Sequence, residues 1–120
     1  MSTYTSQNGQ NSPTPRFSVI IPTYNSIATL IPLLESLKKQ TLPDFEVILV
    51  DDGSTDGTEN VVGQYDIQYH RMPERRGPAA ARNYGAKLAR SEWLVFTDAD
   101  TLFADDTVER IDRSLQECTM

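Results

Sequence analysis

At 120 residues the chain has room for one domain with a sizeable core, near the small end for an α/β enzyme. Its 17 acidic and 11 basic residues give a net charge of −6, which excludes binding nucleic acid or an anionic membrane through bulk charge. The single cysteine, Cys118, excludes an intrachain disulfide and a cysteine-rich metal site, and fits a reducing compartment. No stretch approaches the ~20 apolar residues of a spanning helix, so the expectation is a soluble cytoplasmic chain, or one peripheral at the inner face of the membrane.

Residues 1–16, MSTYTSQNGQNSPTPR, carry too little apolar surface to offset the entropy of ordering, and read as a disordered tail ahead of a domain over 17–120. FSVIIP (17–22) and EVILVDD (46–52) are continuous apolar, β-rich runs, the pattern of strands covered on both faces. Between them TLIPLLESLKKQ (29–40) places Leu30, Leu33, Leu34 and Leu37 at helical spacing, with Thr29 as N-cap and Pro32 in the first turn. DGTENVVGQY (56–65) predicts a shorter helix capped by Asp56, and IQYHRM (67–72) alternates like a third strand. GPAAARNYGAKLAR (77–90) predicts a helix starting at Pro78, whose small residues imply close approach to its neighbours. EWLVFTD (92–98) reads as the next strand, and 106–117 as a last helix with Val108, Ile111 and Leu115 on one face.

This alternation predicts an α/β fold: a doubly wound, mostly parallel sheet with flanking helices, right-handed crossovers, and a ligand crevice at the carboxyl ends of the strands. Pro22-Thr23-Tyr24-Asn25, Asp51-Asp52-Gly53-Ser54 and Asp98-Ala99-Asp100 all occupy those ends. Each has a plain reading and a functional one. PTYN is a strand-ending turn with Asn25 capping, or it offers Tyr24 as a platform for a planar ring. In DDGSTDGT the residues after Asp52 form a helix-capping loop and Asp51 closes the strand or pairs locally, while Asp52 can accept bonds from a nucleotide. Arg82 is a solvated helix residue or a fork for phosphate oxygens; Arg75 and Arg76 read as surface residues. Asp98 and Asp100 leave an extended chain on the same side, where like charges ~5 Å apart repel by about 3 kcal/mol at an effective dielectric of about 20. Together they could share one hard cation such as Mg²⁺ or Mn²⁺, which takes a carboxylate or two plus diphosphate oxygens and water.

Two families that use related text are excluded by position. Haloacid-dehalogenase-type phosphatases need a Thr two residues after the second acid, where Leu102 stands here, and the motif falls too late in the chain. Response-regulator receivers carry their acid pair after the first strand and need a later lysine, and none follows Lys87.

Taken together, FSVIIPTYN, LLESLKKQT, FEVILVDDGSTDGT, RGPAAARNYGAKLA and EWLVFTDADT closely resemble the family 2 glycosyltransferases of the GT-A fold, in order from Phe17 to about Leu115. The resemblance implies an enzyme that moves a sugar, with inversion, from a nucleotide-diphosphate donor (a UDP- or GDP-sugar) to a hydroxyl of a carbohydrate or lipid-linked acceptor. By matching position it places Pro22, Thr23, Tyr24 and Gly53 about the nucleotide, Asp52 as acceptor from the base, and Arg82 facing the donor. It makes Asp98 and Asp100 the metal motif for Mn²⁺ or Mg²⁺, with Asp100 the direct ligand and Asp98 nearer the ribose. It also implies a later half that supplies the acceptor site and a carboxylate general base. Asp105, Asp106 and Glu109 follow the metal motif closely and read as first-turn acids favoured by the helix dipole. The expectation is therefore a donor- and metal-binding half, truncated, with the general base absent. The other reading is a non-catalytic nucleotide-binding or interaction module that pairs with a second chain over an exposed sheet edge. Nucleic acid is not an expected partner on either reading.

Overall fold

The computed structural model describes residues 14–118. The two continuous apolar runs become the two central strands, β1 (Phe17–Thr23) and β2 (Phe45–Asp51). They are flanked by β3 (Gln68–Arg71) and β4 (Trp93–Phe96), in the order β3-β2-β1-β4 with every pairing parallel. Alternate residues of the central strands face opposite layers, so both faces must be apolar. On one face Val19, Ile21, Val47 and Leu49 pack with Leu30, Leu33, Leu34 and Leu37 of α1 (Ile27–Lys38). On the other, Ile20, Ile48 and Val50 meet α3 (Pro78–Leu88) at Ala81. Two further helices, α2 (Thr58–Val62) and α4 (Thr107–Cys118), complete the order strand, helix, strand, helix throughout. The expected α/β class and parallel sheet are what the chain adopts.

The strand order sets the position of the site. The chain adds β2 and β3 to one side of β1, then returns to place β4 on the other, so the loops after β1 and β4 run apart and leave a crevice at that switch point. The close seating of α3 brings its N-terminus to the same crevice. A Cβ at Gly85 would lie 2.6 Å from Ile20 Cγ2 and 3.2 Å from Val50 Cγ2, so only glycine lets the helix sit this low on the sheet.

Some boundaries differ from expectation for identifiable reasons. Helix α1 starts at Ile27, ahead of the expected Thr29 cap, because the Ile27 N–H donates to Asp56 Oδ2 at 3.1 Å, a cap supplied by a different loop. Pro32 therefore lies beyond the first turn, on the exposed side of the helix, where water can satisfy the carbonyl its missing N–H leaves free. Asp56 stands one residue before the α2 cap position and takes both the N–H and the hydroxyl of Thr58 on Oδ1. Residues 1–13 of the expected tail lie outside the described residues. Its last residue is tied down: the Arg16 N–H donates to Asp44 Oδ1, and its guanidinium pairs with Asp112 on α4. Among the described residues no helix is long and apolar enough to cross a membrane.

Candidate functional site

The loops after β1 and β2 are stapled to each other. Asn25 adopts a left-handed backbone (φ 50°), a conformation asparagine tolerates better than most side chains. Its N–H donates to Ser54 Oγ at 2.8 Å, and its Oδ1 accepts the Thr55 N–H at 2.7 Å. Asp51, fully buried at the end of β2, holds the second loop from below: Oδ1 accepts the Ser54 N–H at 2.8 Å and Oδ2 accepts the Tyr69 hydroxyl at 2.5 Å. Arg71 Nη1 lies 3.7 Å from the same carboxylate and donates to the Ser54 carbonyl at 2.9 Å. Burial, and next the bond to Asp51, push the Tyr69 phenol up to about 12.

Asp52 does the same work for the loop before α3. Its two carboxylate oxygens accept the N–H groups of Arg76 and Gly77, each at 2.8 Å, and fold that loop back over the strand ends. Gly53 supplies the turn just after the two carboxylates at φ +98°, where a side chain would be strained. The loop delivers Arg75 onto Tyr24, with the guanidinium carbon 3.8 Å from the ring centroid and Nε 4.0 Å from Asp52 Oδ2.

These elements enclose a cavity of about 390 Å³. Of the residues singled out in the sequence, Pro22, Thr23, Tyr24, Asp52, Asp98 and Asp100 line it. Gly53 and Arg82 do not: Gly53 shapes the wall from behind, and Arg82 reaches in from α3 to Asp98 Oδ1 at 3.3 Å. Thr23 Oγ1 is buried and has no hydrogen-bond partner, a hydroxyl whose desolvation a ligand group could offset.

The acid pair is not on extended chain. Strand β4 ends at Phe96, and residues 98–101 form a turn closed by the Thr101 N–H on the Asp98 carbonyl at 3.2 Å, yet both carboxylates still reach the cavity. Arg82 offsets part of the Asp98 charge, while Asp100 makes no hydrogen bond or ion pair among the described residues. No group of three or more His, Cys, Asp and Glu side chains able to hold a metal occurs among the described residues. Two exposed carboxylates of hard oxygen, open to water and to ligand oxygens, fit Mg²⁺ or Mn²⁺ held jointly with a diphosphate and would not fit a closed protein cage.

Arg75, read from the sequence as a surface residue, is 62% exposed and also lines the cavity, a position the sequence reading did not assign to it. Its signal was present: it lies two residues before the Gly-Pro start of α3, on a loop at the same strand ends as the other motifs.

A parallel α/β sheet with its cavity at the switch point, walled by an aromatic face, an arginine and an acid pair, has the layout of the GT-A glycosyltransferases. The glycosyl transferase family 2 model matches residues 18–118, and the chain belongs to that family. Among solved structures it is similar to Staphylococcus aureus TarS 1–349 in complex with UDP-GlcNAc, at 35% identity and a TM-score of 0.80 over 85% of this chain and 31% of that one. It is also similar to the mannosyltransferase PcManGT from Pyrobaculum calidifontis in complex with GDP-Man and Mn²⁺, at 36% identity and a TM-score of 0.73 over 81% of this chain and 31% of that one. A PGL/p-HBAD biosynthesis glycosyltransferase of Mycobacterium bovis is 40% identical over 104 residues, 81% of this chain and 40% of that protein. The first curated relatives it matches are much longer: the chain spans from 16% to 40% of their length.

Proposed function

We propose that the chain carries the donor-binding part of an inverting, metal-dependent glycosyltransferase, with a UDP- or GDP-sugar as donor and a carbohydrate or lipid-linked hydroxyl as acceptor. The observation that carries this reading is the meeting, in one cavity, of a flat aromatic face at Tyr24, the Thr23 hydroxyl, and the Asp98 and Asp100 carboxylates with Arg82 beside them. Pro22 and Tyr24 offer apolar surface to a base. Asp52, although it already holds two backbone N–H groups, keeps further lone pairs for a base N–H. Arg82 can turn from Asp98, an exposed and therefore weak pairing, onto phosphate oxygens that match its fork. Asp98 and Asp100 would hold Mn²⁺ or Mg²⁺, which supplies neutralisation of the charge that builds on the departing diphosphate.

Two of the acids that follow, Asp106 and Glu109, are engaged away from the cavity. Asp106 pairs with Arg110 at 3.2 Å and Glu109 accepts the Thr41 hydroxyl at 2.6 Å, so neither is offered as the base that deprotonates an acceptor. Calorimetric titration with UDP and with GDP tests the reading. Saturable binding of one of them, strengthened about tenfold by Mn²⁺, is expected; ~1.4 kcal/mol separates the two conditions. No binding of either with Mn²⁺ present would count decisively against it.

A second reading, a binding module that acts with another chain or another copy, is supported by β4. Leu94 is 37% and Phe96 48% exposed on the last strand of the sheet. Sugar transfer by this chain unaided would exclude that reading.

A further inference from the structure

Arg75 lies over the Tyr24 ring where both residues line the cavity, with its guanidinium carbon at stacking distance, 3.8 Å from the ring centroid. The side chain that makes this contact is loosely held. It is 62% exposed, and its one carboxylate neighbour among the described residues, Asp52, is 4.0 Å from Nε, at the outer limit of an ion pair. The backbone on either side is firmly held by contrast: the next two N–H groups, of Arg76 and Gly77, bind the 5% exposed Asp52 carboxylate at 2.8 Å. A planar cation on a flexible stem, rooted in a stiff loop above an aromatic ring, is two layers of a stack that can open to admit a third.

We propose that Arg75 is a base-clamping residue: a nucleoside base enters between the Tyr24 ring and the Arg75 guanidinium, and the cation closes on its outer face. The inference rests on the nucleotide-sugar reading above and adds a residue to it. Opening by one ring thickness, roughly 3.5 Å, is within reach of arginine rotamers with the loop unmoved. The exchange also favours the sandwich over expulsion of the arginine into water. In the sandwich the guanidinium trades one aromatic face for another and the base is stacked on both sides, whereas expulsion would forfeit the cation–π contact. Because the clamp holds the base, it acts on nucleosides and nucleotides alike.

NMR-monitored titration of the full chain with uridine, UDP, guanosine and GDP tests this on wild type, Arg75→Ala and Arg75→Lys. The clamp predicts that Arg75→Ala weakens binding about five- to thirtyfold, by the same factor for the nucleoside and for its diphosphate. Arg75→Lys, which keeps the charge and loses the plane, should recover only part of that loss. A loss confined to UDP and GDP would make Arg75 a phosphate contact and overturn the clamp, as would full recovery with lysine. Unchanged or tighter nucleoside binding by Arg75→Ala, with wild type binding normally, would overturn the clamp alone. Failure of wild type to bind any of the four would overturn the donor-binding reading and the clamp with it. Since the side chain is 62% exposed, the variants are expected to fold, which circular dichroism checks before titration.

Discussion

At the cavity mouth one acid already shares its charge and the other does not. Asp98 is 3.3 Å from Arg82, and Asp100 stands without a partner among the described residues. Asp100→Asn keeps the shape and removes the charge a hard cation needs. We expect Mn²⁺ to stop strengthening UDP or GDP binding in this variant, with metal-free binding unchanged; calorimetry that still finds a metal effect would reassign the ligand. Deeper in, the Tyr69 phenol is raised to about 12, by burial first and by its bond to Asp51 second. The folded chain favours the neutral phenol, so its contribution is complete below the ordinary value near 10 and is lost as pH rises through about 12. Tyr69→Phe should cost ~1 kcal/mol at neutral pH. That gap to wild type should narrow between pH 10 and 12, as urea midpoints would show, and a constant gap would break the assignment. Asp51 was expected to close its strand or pair locally, as its bond from the Ser54 N–H does, but the Tyr69 pairing was not legible because a partner 18 residues away leaves no local pattern.

Helix α3 carries the site by its placement. Its N-terminal loop is gripped by Asp52, and its body lies against β1 and β2 through Gly85 and Ala81. Gly85→Ala would add helix propensity worth about 1 kcal/mol yet force a methyl to 2.6 Å from Ile20 Cγ2. Overpacking of this kind costs typically 1–3 kcal/mol, so a net lower urea midpoint is expected, with weaker nucleotide binding as the loop shifts. A raised midpoint would show that the helix can lift away freely. The start of α3 was legible because Pro78 marks it within the sequence itself. The start of α1 was not, because the carboxylate that caps Ile27 belongs to Asp56, 29 residues further on.

For the whole molecule, net charge −6 favours solubility while the exposed Leu94 and Phe96 on β4 oppose it. Concentration-dependent self-association of this chain is expected, and the double change Leu94→Lys and Phe96→Lys should reduce it without altering UDP or GDP affinity. Sedimentation velocity over a concentration series would show this, and identical profiles for the two proteins would remove β4 as the contact. The loss of association should be separable from binding because these side chains do not line the cavity.

The sequence by itself determined the kind and order of the elements, the two central strands, and the ends at which the site would form. Continuous apolar runs, helical spacing and a proline at a helix start are local signals, and they act over the same few residues in which they are read. The tertiary structure alone decided how the loops are joined: Asp52 holding the loop before α3, Arg75 lying on Tyr24, and Arg82 reaching Asp98 across 16 residues. Those contacts depend on where the crossovers return the chain to the sheet. Residue spacing along a strand or helix carries no record of that.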